Sequence, residues 1–371
     1  MKKAFLLALC ALCLPLAGCM RSVQLNERAI VQAIGIDRAG DAYALTLQIF
    51  DPEAAGADDT SSGKILRAEG RTLAEAMRNA NLKQGQEIFL GHTKLILLGE
   101  QIAVDGVEEV VAYFNADAQS RPNTDMLVAQ GDAASVLREP LDSTILPVLS
   151  MKMLLEGYRD NGKLVRTQLR GIAGSLENPA VGAYLPVAAF SGDEEEAGIQ
   201  IVGTAVLRDG KQSGVLSTEE TRGILWAAGE IGKTQLTLEE EGIGIVTLNV
   251  VSSSVTVTAR IENGAPFYAV SVRVRSNVGQ EFAATQALQP SERCDRYEKA
   301  QEQLIRRETE HALEQLFHGI FCDALGYANI LMQQQPDYWK QEGEAYPDVL
   351  DQVGFSVTVD SKINRGTTVA S

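Results

Sequence analysis

The first nineteen residues indicate in which compartment this chain folds and after which residue the mature protein begins. A basic start, Met1-Lys2-Lys3, precedes an apolar run from Ala4 to Leu14, and Leu16-Ala17-Gly18-Cys19 follows. That order is typical of an export signal, because the lysines hold the start in the cytoplasm and the apolar run is too short to span a bilayer stably. The small residues at 17 and 18 allow a peptidase to approach the peptide bond before Cys19. We therefore predict cleavage between Gly18 and Cys19.

Cys19 is predicted to carry a lipid anchor. Its thiol is the nucleophile that would accept a diacylglyceryl group, and the amino group freed by cleavage is a candidate for N-acylation. Two acyl chains anchor a protein stably, whereas one is marginal at about 0.8 kcal/mol per buried CH₂. The alternative is an ordinary secretory peptide with a chance cysteine, but this cysteine stands where cleavage falls. We expect a protein outside the cytoplasm, tethered to a membrane through Cys19.

The remainder of the chain is strongly acidic. Removal of residues 1–18 from the 371-residue chain leaves 353 residues, and loss of Lys2 and Lys3 takes the formal charge from −16 to −18. That length suffices for two or three domains. The charge argues against a nucleic-acid partner and against electrostatic binding to anionic lipid. No later apolar run is long enough to cross a bilayer, so we expect a soluble body held by lipid alone.

Strand and helix patterns occur in both halves of the chain. The strand-like segments are 29–37, 43–50, 64–69, 93–98, 125–129, 184–190, 203–207, 213–216, 243–249, 254–262, 268–276 and 354–363. The helix-like segments are 72–84, 107–115, 133–137, 141–158, 219–228 and 290–325. Pro147 predicts a bend or break in the fourth of these helices. Strands cluster first and helices follow, which predicts an α+β fold with mixed or antiparallel sheets and packed helices.

An acidic stretch at 191–198 (SGDEEEAG) is the predicted linker between the halves. We predict a signal peptide at 1–18, an N-terminal domain at 19–192 and a C-terminal domain at 199–371. The last of these can divide near 242, so that the two halves form three subdomains.

Two cysteines remain besides the lipidated one, Cys294 and Cys322. Both fall in the helical pattern at 290–325, which we expect to lie across the second sheet. An unbroken helix would separate their Cα atoms by roughly 42 Å, whereas a disulfide requires less than roughly 7 Å. We predict that both thiols stay reduced.

The sequence contains no convincing catalytic, cofactor or metal site. His311 and His318 share the predicted helix but stand about 10.5 Å apart along its axis, and His92 is interpreted as a packed turn residue. The acid runs 194–196 and 239–241 are interpreted as solvated loops, since calcium loops space their ligands around a turn glycine. We therefore predict no enzyme activity, no cofactor and no metal.

An aromatic cluster, Tyr338-Trp339 with Tyr346 close behind, lies in a region predicted to be irregular. One interpretation is a core plug that pins a loop against the sheet. The other is a contact with a partner protein, which an exposed Trp339 would favour.

Several short blocks follow one another along the chain: Cys19 with 25–37 (LNERAIVQAIGID), 91–96 (GHTKLI), 121–124 (RPNT) with 127–131 (LVAQG), 323–327 (DALGY), 336–339 (PDYW) and the strand at 357–363. Taken in this order, they resemble the C subunits of spore germinant receptors, the Ger(x)C lipoproteins. The similarity extends over nearly all of the chain after Cys19. The family's usual tryptophan and aspartate after the lipidated cysteine are here Met20 and Arg21, and its phenylalanine after Asp323 is here Ala324.

The resemblance implies a mixed α/β fold of three domains and a non-enzymatic lipoprotein. It also implies a place on the outer face of the inner spore membrane, with multi-spanning A and B subunits as partners. The alternative function is the solute-binding lipoprotein of an importer, although that class usually has two parallel-sheet lobes. An envelope hydrolase is a third alternative, for which the sequence offers no nucleophile, paired acid or metal arrangement.

Overall fold

A computed structural model describes residues 28–50, 63–137, 147–191, 198–240, 244–281 and 290–364. The strands are β1 (Arg28–Ala39), β2 (Ala42–Phe50), β3 (Gly63–Gly70), β4 (Glu87–Phe89), β5 (Leu95–Leu98), β6 (Asp125–Ala129), β7 (Thr167–Gln168), β8 (Ala183–Ser191), β9 (Gly198–Arg208), β10 (Lys211–Leu216), β11 (Thr234–Glu240), β12 (Gly244–Glu262), β13 (Ala265–Glu281) and β14 (Gly354–Ile363). The α-helices are α1 (Leu73–Gln84), α2 (Glu100–Asp105), α3 (Glu108–Ala116), α4 (Ala133–Val136), α5 (Pro147–Glu156), α6 (Tyr158–Asn161), α7 (Leu169–Glu177), α8 (Thr218–Ala228), α9 (Pro290–Glu314), α10 (Tyr327–Gln334) and α11 (Pro336–Glu342).

The first sheet has the strand order β10-β9-β8-β6-β5-β1-β2-β3, with β4 beside β1 and β7 beside β6. Its centre is parallel, since β5 runs parallel to β1 and to β6, and β6 runs parallel to β8. Helices α1, α2, α3 and α7 pack on one face, and α4 and α5 pack on the other. A sheet that is covered on both faces explains the near-continuous apolar runs of β5 and β6.

The second sheet has the order β11-β12-β13-β14 and is covered on one face. Helices α8, α9 and α10 contribute to the core on that face. On β14, Val357, Val359 and Ile363 are buried, whereas the alternate residues face solvent. This two-residue period marks a sheet with one wet face. The predicted α+β class, with mixed sheets and packed helices, is confirmed.

Long-range packing overrides local signals at several places. The predicted strands at 243–249 and 254–262 form one strand, β12, whose ladder continues through two register shifts. Strand β11 was not predicted, because Glu239 and Glu240 suggested a loop; both belong to this strand. Helix α5 is described from Pro147 onward, and residues 141–146 of the predicted segment, with the predicted bend at Pro147, lie at or outside the limit of the described residues.

The two sheets do not divide the chain at the predicted linker. Strands β9 and β10 follow the linker in sequence but pair with β8 in the first sheet. Residues 192–197 of the linker and residues 241–243, at the predicted subdivision, lie outside the described residues. The predicted domain boundaries therefore stay a prediction.

The long helix lies across the second sheet, as predicted, but it ends early. After Glu314 one π-helical turn runs from Gln315 to Gly319, and Phe321 then takes a positive φ of 55°. The prediction of an unbroken helix to residue 325 was wrong, because this segment turns back to contact the first sheet. Neither Cys294 nor Cys322 forms a disulfide, as predicted. None of the described helices is both long and apolar enough to span a bilayer.

Gly223 permits the close approach of α8 and α9, and we expect its replacement to destabilise the fold. A Cβ atom on Gly223 would lie 2.2 Å from the carbonyl oxygen of Glu308. Gly223→Ala should therefore lower the free energy of unfolding by about 1–3 kcal/mol, as overpacking does. Gly174→Ala is the matched control, because a Cβ atom there meets nothing within 4 Å. The control should stabilise α7 by about 0.5–1 kcal/mol. Equal stabilities in urea titrations of the two variants would contradict this account of the helix contact.

Candidate functional site

The predicted lipidation and cleavage residues, Cys19 and Gly18, lie outside the described residues. Their assignment stays a prediction. The first described residue, Arg28, begins β1 nine positions after Cys19. A fully extended chain spans at most about 3.6 Å per residue, so nine residues reach roughly 32 Å. A lipid on Cys19 would therefore hold β1 close to the membrane surface.

The three histidines occupy separate environments. The His311 ring lies 3.3 Å from a carboxylate oxygen of Glu220. His318 lies 2.8 Å from a Glu314 oxygen and 3.0 Å from the carbonyl oxygen of Val353. His92 is an exposed turn residue with its ring centroid 5.8 Å from that of Phe89. Within the described ranges, no group of three or more acidic, histidine or cysteine side chains is placed to hold a metal ion.

The aromatic cluster packs against the core of the second sheet. Tyr346 is fully buried, and the partly buried Trp339 ring lies 5.8 Å from it between centroids. Tyr338 and Trp339 stand on α11, so the prediction of an irregular segment was wrong. The packing agrees with the core-plug interpretation. A partner contact at Trp339 stays a prediction.

Asp323 is one of the residues that connect the two sheets. Its carbonyl oxygen accepts a hydrogen bond from the Gly182 backbone N–H at 3.0 Å, just before β8 of the first sheet. Its carboxylate lies at the start of α10, on the second sheet. There it accepts the backbone N–H groups of Tyr327 at 3.0 Å and Ala328 at 2.6 Å. These bonds satisfy donors that a helix start leaves open.

A chain of hydrogen bonds through two tyrosines extends from the Asp323 carboxylate. The Tyr346 hydroxyl donates to it at 3.2 Å, and the Tyr268 hydroxyl lies 3.0 Å from that of Tyr346. Because Tyr346 has a single hydroxyl proton, Tyr268 must be the donor of the second bond. Burial raises the pKa of Asp323 to about 6, against the lowering effect of these hydrogen bonds. The carboxylate therefore links β13, α10 and the turn after α11.

The neighbouring residue Cys322 packs in the same junction between the two sheets. Its thiol donates to the carbonyl oxygen of Leu207 on β9 at 3.4 Å, and burial raises its pKa to about 12. Gly182 lies directly against it, since a Cβ atom there would be 2.1 Å from the Cys322 sulfur. A thiol held in this way is inert. Cys322 is thus a packing residue.

A second buried aspartate, Asp125, stabilises the first sheet. Lys152 of α5 lies 2.7 Å from one carboxylate oxygen, and Arg166 binds both oxygens at 2.8 and 3.1 Å. Sequence reasoning did not single out Asp125 or Asp323 as buried charges. The available signal was an aspartate at the border of an apolar run. It was insufficient because several partners of these aspartates come from distant segments of the chain.

Comparisons with known proteins agree with this architecture. Residues 21–189 match the model of the spore germination protein N-terminal domain, and residues 202–367 match that of the spore germination B3/GerAC-like C-terminal family. Spore germination protein B3 of Bacillus subtilis (strain 168) is 25% identical over 365 residues, covering 95% of this chain and 96% of that protein. Spore germination protein KC of the same strain is 23% identical over 391 residues, covering 98% and 95%. The crystal structure of the GerBC protein superposes with a TM-score of 0.61 at 22% identity, covering 89% of this chain and 96% of that one. That likeness shows a shared fold.

Asp323 should make stability depend on pH in an identifiable direction. Its pKa rises from 3.8 to about 6 on folding, so the stabilisation linked to the protonated form is present below about pH 4 and is lost as pH rises through about 6. The loss is up to about 3 kcal/mol. Urea titrations at pH 4 to 7 should show the stability of the unmodified protein falling relative to that of Asp323→Asn. Asp337→Asn, at a side chain that is 94% exposed, should follow the unmodified protein, and parallel curves for all three would contradict the assignment.

Proposed function

Because this chain belongs to the Ger(x)C family of spore germination proteins, we propose that it is the lipid-anchored, non-catalytic subunit of a nutrient germinant receptor. In this proposal it acts in spore germination together with membrane-spanning A and B subunits. The observation that carries the proposal is the match of both halves of the chain, in order, to the two domains of that family. The relatives match along almost their whole length.

The chemistry of the described residues supports a scaffold role. The buried aspartates Asp37, Asp125 and Asp323 are all engaged by backbone N–H groups or by cations. The hydrogen bonds and ion pairs of these three carboxylates are made to groups of the protein itself, which fixes the positions of the segments that carry them. A docking subunit needs a defined shape and a fixed position, which these interactions and the proposed anchor would supply.

The proposed location is the outer face of the inner spore membrane, with Cys19 lipidated. The short distance allowed between Cys19 and β1 would keep the folded body beside membrane-embedded partners. Anchoring also suits a chain whose net charge of −16 opposes electrostatic attraction to anionic lipid.

Replacement of Cys19 tests the anchor. Cys19→Ala should remove the acylation site, so the chain should leave the membrane fraction of disrupted spores and nutrient germination should be impaired. Cys13→Ala is the matched control, because Cys13 lies inside the apolar run and away from the predicted cleavage bond. Fractionation, lipid labelling and germination assays measure the outcome. A Cys19→Ala chain that still incorporates lipid and supports normal germination would contradict the proposal.

Copurification tests the partnership separately. An affinity-tagged, lipidated chain extracted from spore membranes in mild detergent should retain two multi-spanning proteins, identified by mass spectrometry. The tagged chain must first restore germination in spores that lack the untagged one. Recovery of an intact, lipidated chain without any multi-spanning protein would argue against receptor assembly and leave the anchor unaffected.

A further inference from the structure

An open cleft of about 440 Å³ lies where the two sheets meet. Arg166 and Arg170 line one side of it, and Tyr158 and Tyr184 contribute aromatic surface. Gly182 and Ala324 also line it, one from each side of the junction. A cleft of this volume is in the range of small-molecule sites.

The cleft is positively charged on an acidic protein. Lys152 and Arg166 share the single carboxylate of Asp125, so that carboxylate balances only one of their two positive charges. Arg170 has an exposed side chain and forms no ion pair with any described residue. None of the residues that line the cleft is an aspartate or glutamate, although the whole chain has a net charge of −16.

Two acids, Glu156 and Glu230, act on groups of this region but do not line the cleft. Glu156 lies 3.7 Å from Lys152, but its side chain is 60% exposed, and exposed pairs of this kind are weak. Glu230 acts electrostatically on Tyr184 and on Arg159, and it does not line the cleft. The charged residues that do line the cleft, Arg166 and Arg170, are both cations.

Two of the possible donors in the cleft, Arg166 and Tyr158, are positioned by hydrogen bonds to neighbouring residues. Asp125 binds Nε and Nη2 of Arg166, so the plane of the guanidinium is fixed while Nη1 has no part in that pairing. The Tyr158 hydroxyl accepts a hydrogen bond from Arg159 Nε at 2.9 Å, which leaves its own proton available to another acceptor. Arginine guanidinium groups match the geometry of carboxylate and phosphate oxygens.

We propose that this cleft binds a small molecule through a carboxylate or phosphate group, with Arg170 and Arg166 as its cationic contacts. Of the residues that line the cleft, Gly182 donates the hydrogen bond to the Asp323 carbonyl oxygen that connects the sheets, and Ala324 directly follows Asp323. A bound molecule that contacts both sides would stabilise this junction. The inference stands on the cleft alone and does not depend on receptor membership.

Isothermal titration of the full lipidated chain in non-ionic detergent tests the site, with inorganic phosphate and glutarate as probes. At least one probe should bind saturably at one site, and Arg170→Gln should weaken binding about tenfold or more, since a charge-assisted contact is lost. Arg307→Gln, at an exposed arginine of α9, is the matched control and should bind as the unmodified chain does. Arg170→Lys keeps the charge and should retain part of the affinity.

Binding of phosphate alone or of glutarate alone would support the site and identify the source of the oxyanion. The absence of saturable binding by either probe in the millimolar range would overturn the proposal. Equal affinities of Arg170→Gln and Arg307→Gln would also overturn it, because binding would then lie elsewhere. Thermal unfolding of each variant checks its fold, and Arg170→Gln should unfold as the control does, because Arg170 makes no described ion pair.

Discussion

Asp323 is buried where the two sheets meet, and its hydrogen bonds position the segments on both sides of that junction. Its carboxylate holds the start of α10 on the second sheet, and its carbonyl oxygen binds Gly182 beside the first. A buried carboxylate without partners costs several kcal/mol, so the segment that carries it favours the conformation in which every bond is made. The π-helical turn and the positive φ of Phe321 belong to that conformation. These hydrogen bonds offset part of the cost of burying the Asp323 carboxylate.

Buried aspartates that bind groups of other segments also occur elsewhere in the fold. Asp37 accepts the backbone N–H groups of Ala133 and Ala134 at 2.7 and 3.0 Å, which attaches α4 to β1. Asp125 binds two cations instead, and one of them, Arg166, lines the cleft together with Arg170. The ion pairs that hold Asp125 in the fold therefore also position an arginine of the proposed binding site. A body stiffened in this way suits a protein whose proposed role is to hold a position beside membrane partners.

Local patterns were sufficient for many elements. The β1–β2 hairpin, the start of α1 at Thr72 and the turn at Asp209-Gly210 depend on neighbouring residues, and all were predicted. Strand β11 and the continuity of β12 were not, because their pairing partners decide them. Asp323 appeared in the sequence only as part of a family resemblance. Its bonds to Tyr327 and Ala328 are local, but its burial results from contacts with Gly182 and Tyr346.

The sequence by itself determined the α+β class, the amphipathic long helix and the family, since hydrophobic period, turn chemistry and ordered motifs are local properties. It also predicts the anchor at Cys19. Only the tertiary structure decided that β9 and β10 complete the first sheet, that the long helix ends before Cys322, and that Arg166 and Arg170 line one cleft. Each of these depends on contacts between segments far apart in the chain, and the energy of such contacts comes from burial and charge pairing that no local pattern records.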